Sequence, residues 1–434
     1  MRRGFIYNTA LCVNCNACNA ACMLENGFQA GTRAVYTWNE DAVSPFPVVN
    51  LSLACNHCSD PACLKGCPAR AYSVDPSGTV IHHPEKCMGC SYCTWRCPYN
   101  APKINHRKGY IEKCHFCFQR NEEGIEPACV TACPTGAIKI TLDDTFAREV
   151  IWFPETGIDP AVKISGVTEG KKQIFIPSDE ENELAEEPGK PGRAMKEWSL
   201  LTFSLLVMTA SVLIIINLFS ESGKYFRAST IALFSALFIS LTHLGVKANA
   251  WRAPLHFLSS PLSWEIVMVG LQTILSILYW IYPSTGILIA ASVASLLSLV
   301  AVDMVYLEAD RSVSLKLHSG QAFFSTLLAV SFFSHMINAF IIFTLLAAAS
   351  IVFRHRRITA SKWHNSLFYF RALSLPLVLM LVYLGSRVSQ ICAVSFLIAG
   401  IVSDRILFYE EFSPENLIEK ISDNFKEEYE KERY

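Results

Sequence analysis

The chain has 434 residues, 51% of them hydrophobic and 17% charged, and a formal net charge of −1. That balance supplies no bulk attraction to nucleic acid, and the length is enough for two or three domains. Of 17 cysteines, all but Cys392 fall between Cys12 and Cys133, an asymmetry that excludes a uniform disulfide framework.

The chain opens Met1-Arg2-Arg3-Gly4-Phe5. The paired arginines invite a twin-arginine reading, but no apolar stretch of signal-peptide length follows them. A cleavable signal is therefore not expected, and cluster assembly is expected in the cytoplasm. Four cysteine sets come next: Cys12, Cys15, Cys18 and Cys22; Cys55, Cys58, Cys63 and Cys67; Cys87, Cys90, Cys93 and Cys97; and Cys114, Cys117, Cys129 and Cys133. The third set, with Pro98 after its last member, has the bacterial ferredoxin spacing. In such a run the first thiolates fit one cubane and the last reaches a neighbouring cluster, so one set implies a partner set. Sets two and four carry extra residues before their third cysteine, and Pro68 and Pro134 follow their last; set one lacks the proline. At four cysteines per cubane, the sets make four [4Fe-4S] clusters with no ligand left over. Zinc also takes cysteine pairs, but as separated pairs rather than tight runs ending in Cys-Pro, which favours iron and sulfide.

The runs Ser52-Leu53-Ala54-Cys55-Asn56-His57-Cys58-Ser59-Asp60-Pro61-Ala62-Cys63 and Cys97-Pro98-Tyr99-Asn100-Ala101-Pro102 resemble the four-cluster electron-transfer subunit of dimethyl sulfoxide reductase and its relatives, over about residues 4 to 140. The resemblance implies that set one pairs with set four and set two with set three. Cys12, Cys15 and Cys18 would then share a cluster with Cys133, and Cys114, Cys117 and Cys129 one with Cys22. Cys55, Cys58 and Cys63 would join Cys97, while Cys87, Cys90 and Cys93 would join Cys67. Some relatives hold a three-iron cluster where one cysteine is replaced; here every such position is cysteine.

The expected fold of residues 1–141 is an α+β ferredoxin-like dicluster repeat, made of short strands and turns rather than a deep core. Gly78-Thr79-Val80-Ile81 and Gly136-Ala137-Ile138-Lys139-Ile140 read as strands, with Ala69 and Ala132 in short helical turns. His57 and His115 lie inside the sets, but ligand capacity is full, so they read as donors around the clusters or as surface residues. Residues 142–196 form an extended segment and a linker whose stretch from Pro177 to Arg193 is acidic and polar enough to be a solvated spacer.

After Trp198 the chain reads as an all-α polytopic membrane domain, residues 197–410. Ser199 to Phe219, Thr230 to Val246, Trp264 to Tyr282, Gly286 to Tyr306, Leu367 to Leu384 and Ile391 to Tyr409 are apolar runs near the ~20 residues that cross hydrocarbon. Ala322 to Phe353 would measure on the order of 48 Å as one helix, against a layer ~30 Å thick. Two spans turning at Ser334-His335-Met336-Ile337-Asn338 are favoured, hence eight transmembrane helices, with seven as the alternative. Residues 411–434 form a charged tail in which Leu417, Ile418, Ile421 and Phe425 have helical spacing, read as a surface helix.

Thr242-His243-Leu244-Gly245, Trp251-Arg252-Ala253, Pro261-Leu262-Ser263-Trp264-Glu265-Ile266 and the stretch from Val394-Ser395-Phe396-Leu397 to Phe408-Tyr409 resemble the membrane-anchor subunit of the same reductase. That resemblance implies a menaquinol site with His243, Glu265 and Arg252, although the loop from Val246 to Ser260 is slightly longer than the usual pattern. Counting spans puts His243 and Glu265 on the cluster side. A quinol needs an acceptor for each hydroxyl proton, which a histidine and a carboxylate supply at membrane depth. The plainer alternative is that His243 caps its helix and Glu265 sits in a favourable first turn. Asp303, Arg311 and His318 are secondary candidates, and His335 and Asn338 read as turn residues. Haem is not expected, because only His243 and His335 lie inside apolar runs.

With eight spans, Lys247, Arg252, Arg311, Lys316, Arg354, Arg356, Arg357 and Lys362 lie on the cluster side, against Lys224, Arg227 and Arg387 opposite. The positive-inside rule then puts the cluster domain in the cytoplasm, on the bacterial inner membrane, whereas with seven spans the Arg354 loop changes sides and the bias disappears. The whole reads as a fused electron-transfer and anchor subunit that passes electrons from menaquinol, through four clusters, to a separate molybdopterin catalytic subunit reducing an acceptor such as an S-oxide. The alternative is reverse flow, from a formate- or sulfur-oxidising partner into the quinone pool.

Overall fold

The computed structural model describes residues 1–38, 49–143, 145–146, 153, 156–166, 197–219, 225–309, 321–355, 362–412, 417–418 and 420–421, without the side chains of 350–364 and 411. The acidic stretch from Pro177 to Arg193, together with Lys224, Arg311, Lys316, His318, Arg356, Arg357 and Phe425, falls outside the described residues. The chain forms two compact units. One comprises Met1–Lys190, Gly245–His256 and Pro414–Tyr434; the other comprises Pro191–Leu244 and Phe257–Ser413.

The first unit runs β1 (Arg2–Asn8), α1 (Ala17–Asn26), β2 (Ala34–Trp38), β3 (Val49–Leu53), α2 (Ala62–Gly66), β4 (Tyr72–Val74), β5 (Val80–His82), α3 (Tyr92–Arg96), β6 (Lys103–Asn105), β7 (Tyr110–Glu112), α4 (Phe118–Glu122), α5 (Ala128–Thr131), β8 (Ile138–Asp143) and β9 (Val162–Ser165). β1 is central in a three-stranded sheet, antiparallel to β8 and parallel to β9, and β2–β3, β4–β5 and β6–β7 form two-stranded antiparallel ladders. Strand alternation points Phe5 and Tyr7 inward. Phe5 stacks on Phe116 at 4.3 Å, and both pack with Leu51 and Ile164, so the unit has a core that its short elements do not announce. The strand expected from Gly78 begins only at Val80, and the one expected from Gly136 only at Ile138. Gly78 and Gly136 have φ of +80° and +65° and make the preceding turns. Ala132 caps α5, whereas Ala69 lies in the turn after α2.

The second unit holds α6 (Trp198–Ile216), α7 (Phe226–Ser240), α8 (Pro261–Ile281), α9 (Thr285–Ala309), α10 (Gln321–Phe333), α11 (Ile337–His355), α12 (Lys362–Leu384) and α13 (Arg387–Glu411). Among the described residues, six helices are long and apolar enough to cross a membrane, and Gln321–Phe333 and Ile337–Ala349 are shorter apolar helices. The long run after Ala322 is broken at Ser334-His335-Met336, where His335 has φ of +57°, a left-handed conformation that stops an α-helix. The second apolar run ends earlier than Val246. α7 stops at Ser240, a 3-10 turn covers Leu241–His243, and Gly245 and Val246 belong to the first unit.

The described residues of the tail do not form the expected surface helix. Leu417 and Ile421 are buried in the core around Phe5, and the Leu417 N–H donates to Pro98 O at 2.8 Å. Leu417→Ala is expected to cost about 2–5 kcal/mol, read as a lower midpoint for thermal loss of the protein's visible absorbance; an unchanged midpoint would contradict this packing.

Candidate metal centres

Each cysteine set builds the same local shape from different sequence. The residue two after the first cysteine has positive φ in all four: Asn14 at +52°, His57 at +45°, Gly89 at +69° and Phe116 at +61°. This turn directs backbone N–H groups inward, and Gly89 N and Phe116 N lie 3.4 Å from the sulfurs of Cys87 and Cys114. The third cysteine is then the second residue of a short helix, Cys18 in α1, Cys63 in α2, Cys93 in α3 and Cys129 in α5. In the two tight sets the residue before that helix is left-handed, Asn16 at φ +56° and Ser91 at +58°. In the two sets with an insertion it is an extended proline, Pro61 or Pro127, which is pre-organised to start the helix. The inserted residues are thereby absorbed without moving the third cysteine off its helix.

After the last cysteine the repeat continues. Arg70, Asn100 and Gly136 have positive φ, and the N–H groups of Ala71, Ala101 and Ala137 reach the sulfurs of Cys67, Cys97 and Cys133. Set one has no proline, so α1 continues past Cys22. There the Asn26 side chain donates instead, lying 3.9 Å from Cys22 Sγ and 3.6 Å from Cys117 Sγ.

α1 packs on α5 and α2 on α3, which brings set one to set four and set two to set three. Cys55, Cys58, Cys63 and Cys97 line one cavity of about 350 Å³. Cys67, Cys87, Cys90 and Cys93 line a second of about 300 Å³, and Cys22, Cys114, Cys117 and Cys129 a third of about 270 Å³. Cys12, partly buried, Cys15, exposed, Cys18, buried, and Cys133, partly buried, are the remaining members of the sets. Among the described residues no three Cys, His, Asp or Glu side chains converge on one metal ion. Four sulfurs around a cavity of this size instead fit a multi-iron group, with soft thiolate donors suited to iron and sulfide. Burial pushes the thiols of Cys22, Cys67 and Cys97 up to about 11, so the charged form of the ligands depends on the metal that they bind.

Charged and polar side chains line these cavities where the motifs predict none. Arg33, 3% exposed, lines the third, and Lys113, 2% exposed, lines the first while donating to Cys114 O at 2.6 Å. His57 is fully buried rather than on the surface. Its Nδ1 accepts from Val80 N at 3.1 Å, and burial, with Lys113 nearby, holds its pKa well below the usual value, so the ring is neutral with its proton on Nε2. His115 lines the third cavity, and burial lowers its pKa to about 4.

Arg252 belongs to this unit, because the whole stretch Gly245–His256 packs against sets two and three. Val246 N donates to Met88 O at 3.1 Å, Asn249 Nδ2 to Cys87 O at 2.8 Å and Arg252 Nε to Ala69 O at 3.4 Å; His256 Nδ1 lies 2.8 Å from Cys67 O. Gly245 and Gly109 approach so closely that a Cβ on Gly245 would sit 2.0 Å from Gly109 O. Asn249 and His256 lie outside the sequence motifs, and the slightly long loop from Val246 to Ser260 was the sign available for them.

His243 and Glu265 lie in the second unit. Nδ1 of His243 is buried, and Glu265, in the first turns of α8, is 6% exposed. Arg405 on α13 and Asp303 on α9 interact electrostatically with Glu265. Asp303 caps α10 by accepting from Ala322 N at 3.2 Å and Phe323 N at 3.0 Å, and its carboxylate is 4.0 Å from Arg405 Nη1. Arg405 also donates through Nε to Ser204 Oγ at 3.0 Å and lies 4.5 Å from the Phe408 ring. Asp404 and Arg405 interrupt an apolar run, and charges at that depth were the available signal for this cluster.

Residues 47–142 match the model of the 4Fe-4S dicluster domain family. The protein is 37% identical over 146 residues to one chain of the anaerobic dimethyl sulfoxide reductase of Haemophilus influenzae, and 34% identical over 149 residues to the corresponding chain from Escherichia coli; each alignment covers 31% of this chain and 71% of the relative. One subunit of the tetrathionate reductase of Salmonella typhimurium is 35% identical over 140 residues, covering 31% of this chain and 56% of the relative. Those matches decide between iron-sulfur and zinc for the cysteine domain. The chain belongs to the dimethyl sulfoxide reductase family of iron-sulfur electron-transfer subunits, carried in one polypeptide with a helical part that has six helices long and apolar enough to cross a membrane.

Proposed function

We propose that this chain is both the electron-transfer and the membrane-anchor subunit of a molybdopterin oxidoreductase of the bacterial inner membrane. Its sixteen clustered cysteines hold four [4Fe-4S] clusters, paired set one with set four and set two with set three. Menaquinol is oxidised with His243 and Glu265 as proton acceptors, and Arg252 is the third residue that the resemblance implies. The electrons go through the clusters to a separate molybdopterin subunit that reduces a terminal acceptor such as an S-oxide. The relatives are each named as a single component of a larger reductase, which supports a catalytic partner on another polypeptide.

One observation carries this reading. The segment Gly245–His256 belongs to the cluster domain and hydrogen-bonds to carbonyls of Cys67 and Cys87, two ligands around the same cavity. His243 immediately precedes that segment, and Glu265 lies at the start of the helix that follows it. The residues proposed to take quinol protons are thus tied by a short length of chain to the cluster proposed to take the electrons. Eight crossings, with α10 and α11 as separate spans, and the resulting excess of Lys and Arg on the cluster side favour a cytoplasmic cluster domain.

His243→Ala and Glu265→Gln are each expected to slow menaquinol-dependent cluster reduction by about 10²-fold or more, leaving dithionite reduction of the same clusters intact. Wild-type quinol rates in both variants would overturn the site. Cys97→Ser is expected to alter the paramagnetic signal of the cluster held by Cys55, Cys58 and Cys63, and to spare that of the cluster held by Cys87, Cys90 and Cys93. The reverse pattern would overturn the pairing.

A further inference from the structure

Arg33, in the loop between α1 and β2, is a buried cation beside a cysteine cavity, and its printed hydrogen bond goes to a hydroxyl rather than to a carboxylate. It is 3% exposed, and its Nη1 donates to Ser52 Oγ at 3.0 Å. Its guanidinium lies 4.9 Å from the Phe5 ring, and Nε and Nη2 meet no hydrogen-bond partner among the described residues. It lines the cavity ringed by Cys22, Cys114, Cys117 and Cys129. Its main electrostatic neighbours are Cys129, Cys114, Cys18 and Cys22. A desolvated guanidinium with two idle donor groups is costly unless an anion faces it. Among the described residues that line this cavity, the cysteine ring and what it holds supply that anion.

We infer that Arg33 sets the reduction potential of the cluster held by Cys22, Cys114, Cys117 and Cys129, keeping it higher than the thiolates alone would allow. This rests on the proposed cluster in that cavity. Four thiolates around a core of charge +2 carry a net charge of −2, and uptake of one electron makes it −3. A fixed cation in a poorly screened interior stabilises the more negative state more strongly, so it raises the potential. The cavity ringed by Cys67, Cys87, Cys90 and Cys93 is lined by Tyr72, Met88 and Ile111 with no charged side chain among its described lining residues, so it is an internal control. With a cation at one cavity and none lining the other, the electron gains a downhill step away from the cluster against which Gly245–His256 packs.

The test uses the full chain in detergent, with iron and sulfide measured first and then a potentiometric titration followed by electron paramagnetic resonance. The relevant centre is the one perturbed by Cys117→Ser. Arg33→Gln is expected to lower its midpoint so that the reduced-to-oxidised ratio at the original midpoint falls about tenfold, equivalent to 59 mV for a one-electron couple. Arg33→Lys keeps the charge and is expected to change that ratio by less than about threefold. The centre held by Cys67, Cys87, Cys90 and Cys93 is expected not to move. Full iron content with an unmoved midpoint in Arg33→Gln would overturn the inference, as would a tenfold fall in Arg33→Lys. If Arg33→Gln loses its cluster, Arg33→Met, which also removes the charge, is titrated in its place, and an unmoved midpoint there would overturn the inference. An unmodified chain that lacks iron for this cavity would overturn the proposed cluster, and this inference with it; full iron confines any failure to Arg33.

Discussion

Gathering four thiolate ligands inside a protein concentrates negative charge where water cannot screen it, and most of the first unit answers that load. Three devices recur. Left-handed residues at Asn14, His57, Gly89 and Phe116 turn the chain around each ring, and N–H groups such as those of Gly89, Phe116 and Ala71 point at sulfur. Buried cations, Arg33 and Lys113, stand at two of the cavities. A phenylalanine or a histidine at positive φ is costly by itself, and the stack of Phe5 on Phe116, with His57 4.5 Å from the same ring, holds both in place. The small aromatic core is therefore what keeps the ligand loops in a strained shape.

The same load explains why distant parts of the chain are drawn into this unit. Carbonyls of Cys67 and Cys87 are turned outward when their N–H neighbours turn inward, and buried carbonyls need donors. The loop Gly245–His256 supplies Asn249 and His256 to them, and the bare backbones of Gly89, Gly109 and Gly245 allow the approach. Pro98 O, after the last cysteine of set three, is met by the N–H of Leu417. Segments far apart in sequence thus complete hydrogen bonding that the cysteine loops leave open.

In the helical unit the balance is different. Its exposed helix faces carry many large apolar side chains, and five charges are drawn inward: Glu265, Asp303, Asp404, Arg371 and Arg405 are all buried. Asp303 is shared between the N–H groups that open α10 and the guanidinium of Arg405, while Gln321 donates to Asp404 at 3.1 Å. Ionisable groups held among helices at this depth are expensive in an apolar medium, and Arg405 and Asp303 give Glu265 an electrostatic setting that an isolated helix-start residue would lack.

Much of this was legible in the residues alone. Cysteine spacing identified the ligand sets, apolar run length identified the helices, and Ser334-His335-Met336 marked the break in the longest run, because these features are local and periodic. Ligand identity is a property of residue type and spacing, so the sequence by itself determined what chemistry the first unit carries. It could not show a core between short strands, nor that Leu417 and Ile421 are core residues, because each contributes one or two side chains from far apart in the chain. Nor could it place Arg33 beside set four, or show that Lys113 and His57, next to cysteines in sequence, are buried with them, since a lone charge in a polar loop looks solvated until the fold removes the water. Which groups share a low-dielectric cavity, and so feel one another's charge, was decided only by tertiary packing.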